Sequence, residues 1–458
     1  MKSDVIVIGG GLSGLSTAAD LASRGLSVIV LERHQHLGGR AYSFIDESTG
    51  EEIDNGQHLM MGCYHETRWL LRTVGSDHLA TLQPNLHIDF RHPEFGPASL
   101  HCPPLPGPFH LLAGLLSLKT LSLSDRLKLL RVGREIHKSP ETIEPSIASL
   151  TVHQWLDSLG QSELNKKYLW DIIAVGSLNG DPKDVSALLF YRVLRAAFLG
   201  GRENSSFLVP NVGLSRLFDE PICRYVESKK GRVLRGCAVD SLISEGARVK
   251  AVRCSDGVNR EAAAFVSAVP WYALSGLLPA DEPALLAANR MTTSGILSIN
   301  LWFDVPVMDE DFVALLDSTV QWVFNRSKIL SASASSGQCL TLIVSSADRL
   351  VDREASELVA LAVEDLRRVF PRVGTARVVR SIVLKEKRAT FSQRPDVERL
   401  RPPCITSMEN FFLAGDWTNT GYPATIEGAV MSGRKAAAAV SEFLARGTSA
   451  SKRRDAYI

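Results

Sequence analysis

The chain has 458 residues, 45% hydrophobic and 22% charged, with 51 Lys and Arg against 50 Asp and Glu and a formal net charge of +1. At roughly 150 residues per domain, the length predicts two or three domains, each large enough to bury its own core. The charge balance excludes a strongly basic nucleic-acid binder, and seven scattered cysteines, never spaced C-x-x-C, suggest neither a disulfide framework nor a zinc site but thiols in a reducing, cytoplasmic compartment.

Met1-Lys2-Ser3-Asp4 leads directly into Val5-Ile6-Val7-Ile8, a pattern that predicts no export signal. Apolar stretches throughout are interrupted before the roughly 18 to 20 residues that a membrane-spanning helix requires. The β-branched run Val5 to Ile8 reaches Gly9-Gly10-Gly11-Leu12-Ser13-Gly14, after which Leu12, Leu15, Ala18, Ala19, Leu21 and Ala22 keep a helical period until Gly25. A second strand, Ser27 to Leu31, closes on Glu32. Strand, glycine turn, helix, strand and acid at this spacing predict a dinucleotide-binding unit, hence an α/β fold with a parallel sheet and helices on both faces. Gly9 permits the turn, Gly11 lets a pyrophosphate approach the helix N-terminus, Gly14 lets helix and strand pack closely, and Glu32 accepts from a ribose.

Leu37-Gly38-Gly39-Arg40 adds a second glycine turn, suited to a cofactor with a longer phosphate-ribityl chain. Pro103 to Pro108 is a proline-broken loop. Beyond it, residues 109–131 carry ten leucines interleaved with Lys119, Arg126, Lys128 and Arg131, which predicts either one or two core helices or a helix lying at a membrane interface. Phe207 to Leu214 precedes a helix, residues 232–255 alternate like a hairpin around Glu245-Gly246, and Ala264 to Val269 is a strand stopped by Pro270. Phe411 to Trp417 reads as a strand ending in Gly415-Asp416, and a helix beginning near Ala424 directs its positive end at the cofactor. Asp416 is placed to hold a ribityl hydroxyl or a pyrophosphate water. The tail, 446–458, is small, polar and basic, and predicts a frayed end.

The N-terminal glycine motif, Gly38-Gly39-Arg40, and Gly415-Asp416 leading into Glu427-Gly428-Ala429 resemble the FAD-dependent amine oxidase and phytoene desaturase superfamily. Asp54-Asn55-Gly56-Gln57-His58 and the residues on to Tyr64, with Lys387-Arg388-Ala389-Thr390-Phe391 and Tyr422-Pro423-Ala424-Thr425, resemble its squalene-associated branch, the hydroxysqualene dehydroxylases. These motifs span both ends of the chain. The resemblance implies FAD, held by a Rossmann-like domain assembled from residues 1–75, 205–270 and 381–445, with residues 76–204 and 271–380 forming a mixed α+β substrate domain. It implies cofactor contacts at Gly9, Gly11, Leu12, Ser13, Gly14, Glu32, Arg33, Gly38, Gly39, Arg40, Gln57, His58, Val239, Gly415, Asp416, Thr425 and Ile426, with Val239 giving a backbone contact to adenine, and no metal.

It further implies a C30 isoprenoid substrate, hydroxysqualene, reduced by hydride from the flavin as its hydroxyl leaves as water; an electron donor or neighbouring pathway enzymes, and peripheral membrane contact through residues 109–131, stay open as further partners. A departing hydroxyl needs a proton. His58 is the first candidate donor, with Tyr422, Lys385 and Glu386 behind it, while Tyr64, Trp417 and Tyr422 offer aromatic faces to a cation. Each has a plainer reading: His58 as a carbonyl partner, Tyr64 and Trp417 as core aromatics, Cys63 as a buried thiol. Two other functions stay open, a carotenoid desaturase or amine oxidase running the flavin oxidatively, and a prenyl-binding escort protein that uses no flavin.

Overall fold

The computed structural model describes residues 3–118, 120–330 and 337–455, with side chains described through residue 446. Val5, Ile6 and Val7 are wholly buried, as a strand covered on both faces requires, and they form the centre of a parallel sheet. Strand Ser3–Ile8 pairs in parallel with Val28–Leu31 on one side and Asn259–Ser267 on the other. Arg232–Leu234 extends the sheet beyond Val28–Leu31, and Phe411–Leu413 adds in parallel to Asn259–Ser267. The expected hairpin is present as Val239–Glu245 and Arg248–Cys254, laid antiparallel on Asn259–Ser267.

Helix Leu12–Ser23 packs on the C-terminal helix Ile426–Asp455. A Cβ on Gly433 would lie 2.0 Å from Ser16 Oγ and 2.2 Å from the Ser13 carbonyl, so only glycine allows this approach. Ser16 Oγ and Thr17 Oγ1 donate across the contact to the Val430 and Gly433 carbonyls at 3.2 and 3.1 Å. The C-terminal helix continues to Asp455 through part of the stretch whose composition predicts a frayed end, and residues 456–458 lie outside the description.

A second, seven-stranded sheet runs in the order Val378–Phe391, Thr293–Phe303, Gln338–Val344, Trp322–Asn325, Phe312–Leu315, His87–His92, Gly96–His101. All its pairings are antiparallel except that of Phe312–Leu315 with His87–His92. Strand Val378–Phe391 keeps its pairing with Thr293–Phe303 to Phe391, and so crosses the 380/381 boundary that the resemblance implies. One face of this sheet buries Leu297, Ile299, Leu301 and Phe303 against Leu358, Ala362 and Leu366 of helix Ala355–Val369. Its other face looks into the largest core, together with the helices between residues 109 and 199. Met60–Met61 and Ala80–Leu82 flank Phe207–Pro210 in a small sheet that places Met61 beside Phe207.

Residues 109–131 form two helices, Phe109–Ser117 and the start of Leu123–Ile136. Leu111, Leu118, Leu121 and Leu129 are buried, whereas Phe109, Leu123, Leu127 and Leu130 are exposed. The stretch is therefore core on one side and an apolar surface on the other. Lys119 lies outside the described residues. Among the described residues, no helix is long and apolar enough to cross a membrane.

Candidate functional site

The N-terminal glycines do different jobs. A Cβ on Gly14 would sit 2.0 Å from the Gly9 carbonyl oxygen, so Gly14 is fixed by packing. Gly11 is the N-cap of helix Leu12–Ser23, and a Cβ there would meet only the Gly39 Cα at 3.9 Å. The space beside Gly11 is a cradle that a side chain would fill, lying at a helix N-terminus where backbone N–H groups and the helix dipole favour an anion. Gly38 bridges to Gly11 in parallel, and its N–H donates to the Gly10 carbonyl at 2.8 Å, so the second glycine turn forms the other wall. Leu12 and Ser13 are buried in the first turn. The fit to a dinucleotide pyrophosphate is therefore steric as well as electrostatic.

Glu32 ends strand Val28–Leu31 and accepts from Gly10 N–H at 2.7 Å and His34 N–H at 2.8 Å. It clamps the glycine turn, and each oxygen keeps a second lone pair for a ribose hydroxyl. Arg33 is exposed, donating to His34 Nε2 at 2.9 Å. Val239 opens the hairpin strand opposite Cys254, two residues after Cys237, whose N–H donates to the Glu32 carbonyl at 2.8 Å. The backbone at Val239 thus lies on the Glu32 side of the sheet.

At the C-terminal end of Phe411–Leu413, Asp416 is buried and its Oδ1 accepts from Arg40 at 2.6 Å. Burial works against the Arg40 charge, but the Asp416 carboxylate, with Tyr272 and Glu386 adding to it, raises the guanidinium above its ordinary pKa. Arg40 also donates to the Ala389 carbonyl at 2.7 Å, and Asn55 Nδ2 donates to the Arg40 carbonyl at 2.9 Å. Three segments distant in sequence, around residues 40, 389 and 416, therefore meet at the Arg40 guanidinium, and Asn55 holds the backbone beneath it. Gly415 N–H donates to Ser432 Oγ at 2.7 Å, tying the Gly-Asp turn to the C-terminal helix. Thr425 precedes that helix, its Oγ1 accepting from Gly428 N–H at 3.1 Å, and Ile426 is its first residue.

His58 is half-buried, and its Nδ1 lies 2.8 Å from the Gly56 carbonyl. A carbonyl only accepts, so Nδ1 carries the proton and Nε2 is the open position. Burial lowers the His58 pKa below its ordinary value, the Gly56 carbonyl opposes this, and Arg40 adds to the lowering. Tyr422 adjoins Cys63, Tyr64 and Glu427, and burial pushes its phenol well above the usual range, so its proton is retained. Cys63 is a buried thiol pushed up to about 12, chiefly by burial. Glu427 in turn accepts from Glu66 N–H and Thr67 N–H, each at 2.9 Å, capping the first turn of helix His65–Val74.

The structure gathers Arg40, Asp416, His58 and Tyr422 into one region but places other candidates elsewhere. Lys385 is exposed and donates to the Arg353 carbonyl, while Trp417 is a core aromatic whose Nε1 donates to the Val269 carbonyl at 3.1 Å. Gln57 is half-buried beside His58. Arg401 escaped sequence reasoning. Its side chain is wholly buried, pairs with Glu398 at 2.6 Å, and donates to the carbonyls of Thr418, Tyr422 and Asp416 at 2.8, 2.7 and 2.9 Å. It fixes the whole 416–422 turn, and nothing in the local pattern around Pro402-Pro403 marks it. Spacing also hid a cluster in which Cys237, Cys254 and Asp256 bring their ligand atoms within 4.8 Å of one another; Asp256 there already pairs with Arg260.

Three comparisons bear on this geometry. Residues 12–441 match the family described as flavin containing amine oxidoreductase. The hydroxysqualene dehydroxylase of Rhodopseudomonas palustris is 30% identical, over 95% of this chain and 98% of that protein; the 15-cis-phytoene desaturase of Solanum lycopersicum is 25% identical, over 95% of this chain and 77% of that protein. An oxidoreductase from Methanosarcina mazei superposes with a TM-score of 0.73 at 17% identity, covering 94% of this chain and 99% of that one.

Proposed function

We propose that this chain, which belongs to the flavin containing amine oxidoreductase family and is an FAD-dependent oxidoreductase, reduces hydroxysqualene to squalene. The observation that carries the reading is the similarity to a hydroxysqualene dehydroxylase over 95% of this chain and 98% of that protein. On this reading the parallel sheet holds the cofactor and the mixed sheet forms the substrate side. Reduced FAD, when bound, supplies hydride from N5. The carbon that accepts the hydride loses its hydroxyl, a proton joins the departing oxygen, and the products are squalene and water.

The cofactor contacts are assigned to the cradle at Gly9, Gly11 and Gly14, to Glu32, to the Gly38-Gly39 turn, and to Arg40 and Asp416. His58 is assigned as the proton donor. Its depressed pKa makes the imidazolium a stronger but scarcer acid, so the step should quicken as pH falls. Tyr422, held at its backbone by Arg401, presents a phenol that stays protonated and an aromatic face to positive charge on the isoprenoid. The exposed face of Phe109, Leu123, Leu127 and Leu130, with Arg131 and Arg134 also exposed nearby, is assigned as the surface that rests on an anionic bilayer and admits the substrate.

The similarity to phytoene desaturases supports a second reading, in which the flavin is reduced while an isoprenoid gains a double bond. The two differ in the direction of electron flow. Anaerobic incubation of the reduced protein with hydroxysqualene, followed by product analysis, separates them.

A further inference from the structure

The mixed sheet has one polar patch where apolar residues would pack as well. Because strand residues alternate between faces, Ser298 and Asn300 point away from helix Ala355–Val369, whereas Leu297, Ile299 and Leu301 point towards it. Across the sheet, Asn300 lies opposite Thr341, Thr341 opposite Phe324, and Phe324 opposite Phe312. In the next row, Ser298 lies opposite Ile343, and Ile343 opposite Trp322. The same face therefore runs from hydroxyls and an amide at one end to aromatic rings at the other.

Phe207 closes over the aromatic end, its ring 5.5 Å from Phe312 and 6.2 Å from Trp322, while Trp322 and Phe324 stack at 6.3 Å. Phe207 pairs with Met61, three residues beyond His58. Trp302, also on this face, donates to Glu51 Oε2 at 3.1 Å. Through Phe207 and Trp302 the face is thus tied to Met61 and Glu51, on either side of His58 in the chain.

Asn300, Ser298 and Thr341 are 1%, 2% and 3% exposed. Thr341 Oγ1 donates to Asn300 Oδ1 at 2.7 Å and so orients the amide. Asn300 Nδ2 and Ser298 Oγ find no partner among the described residues. Unpaired buried donors are destabilising, and a leucine or valine at either position would avoid the loss. We propose that Asn300, oriented by Thr341, binds the hydroxyl of the substrate. Its Nδ2–H donates to the alcohol oxygen of a long isoprenoid whose chain lies against Phe207, Phe312, Trp322 and Phe324, and Ser298 offers a second contact. The inference rests on the hydroxysqualene reading and names its specificity determinant. A donor fixed at that oxygen also stabilises the negative charge that builds there as the bond to carbon breaks.

The test compares two ligands that differ only in the hydroxyl. Hydroxysqualene and squalene are titrated into the oxidised, FAD-loaded protein and followed by perturbation of the flavin absorbance. Asn300→Leu keeps the branching at Cγ and removes the amide, and should weaken hydroxysqualene about tenfold, the value of one hydrogen bond with its partner left unpaired, while squalene binds as before. Thr341→Val should give a smaller loss with the same selectivity, and it answers the question if Asn300→Leu loses FAD. Equal changes for both ligands, or no change for either, would overturn the proposal. Binding needs no turnover, so a protein that binds hydroxysqualene without reducing it would refute the proposed reaction and still report on Asn300.

Discussion

Gly11→Val separates the two reasons for which a glycine occupies the N-terminal turn. Gly11 has φ −71° and ψ 172°, a conformation open to valine, and its Cβ direction is free to 3.9 Å. The apoprotein should therefore lose no more than ~1 kcal/mol, the preference for glycine over an aliphatic residue at an N-cap. Cofactor binding should lose far more. Valine methyls in the cradle displace a pyrophosphate from at least two backbone N–H groups, each worth about 1.5 to 3 kcal/mol to a charged acceptor, so affinity should fall by ~3 kcal/mol or more, at least about 100-fold. Gly14→Val is the contrast, since its Cβ would collide with the Gly9 carbonyl at 2.0 Å and the protein itself should be destabilised. The assay is thermal unfolding of both apoproteins alongside FAD titration by flavin fluorescence quenching. A folded Gly11→Val protein that binds FAD as tightly as the wild type would refute the assignment of the cradle.

Arg401→Met removes the donor to three carbonyls and the partner of Glu398, and should cost about 3 to 5 kcal/mol in chemical denaturation together with loss of bound FAD; a change below about 1 kcal/mol would show that the 416–422 turn holds itself. If His58 donates the proton, the single-turnover rate should be level below its lowered pKa and fall about tenfold per pH unit above it, and His58→Ala should slow the step about 10²–10⁴-fold with FAD content intact. A rate level between about pH 5 and 9, with less than about threefold loss in His58→Ala, would move the role to Tyr422, whose raised pKa keeps it protonated over that range. Changing Leu123, Leu127 and Leu130 together to Ser should abolish co-sedimentation with anionic vesicles at low salt and leave the fold intact, because all three are exposed; unchanged sedimentation would remove the membrane assignment.

What the sequence made legible follows from the range of each interaction. The turn from Gly9 to Gly14 and the acid at Glu32 belong to one local unit, so their spacing alone carried the α/β fold. The hairpin around Glu245-Gly246 was equally local. The long helix stretch at 109–131 was only half legible: leucine content gave helices, but which leucines face solvent depends on Trp155, Phe190 and the other core residues they meet. The Arg40–Asp416 pair and the Asn300–Thr341 couple were invisible because each joins residues far apart in the chain, and Arg401, whose partners lie within 21 residues, because it is defined by burial rather than by residue type. His58 was found by position, yet the carbonyl that fixes its tautomer and the burial that lowers its pKa emerge only from the fold.

Anaerobic mixing of the fully reduced, FAD-loaded protein with hydroxysqualene, with the flavin spectrum and the extracted lipid followed together, tests the central claim most directly. The proposed function predicts one squalene formed per flavin oxidised. A flavin that stays reduced with hydroxysqualene unchanged, or an oxidised protein that instead becomes reduced while introducing a double bond into an isoprenoid, would contradict it.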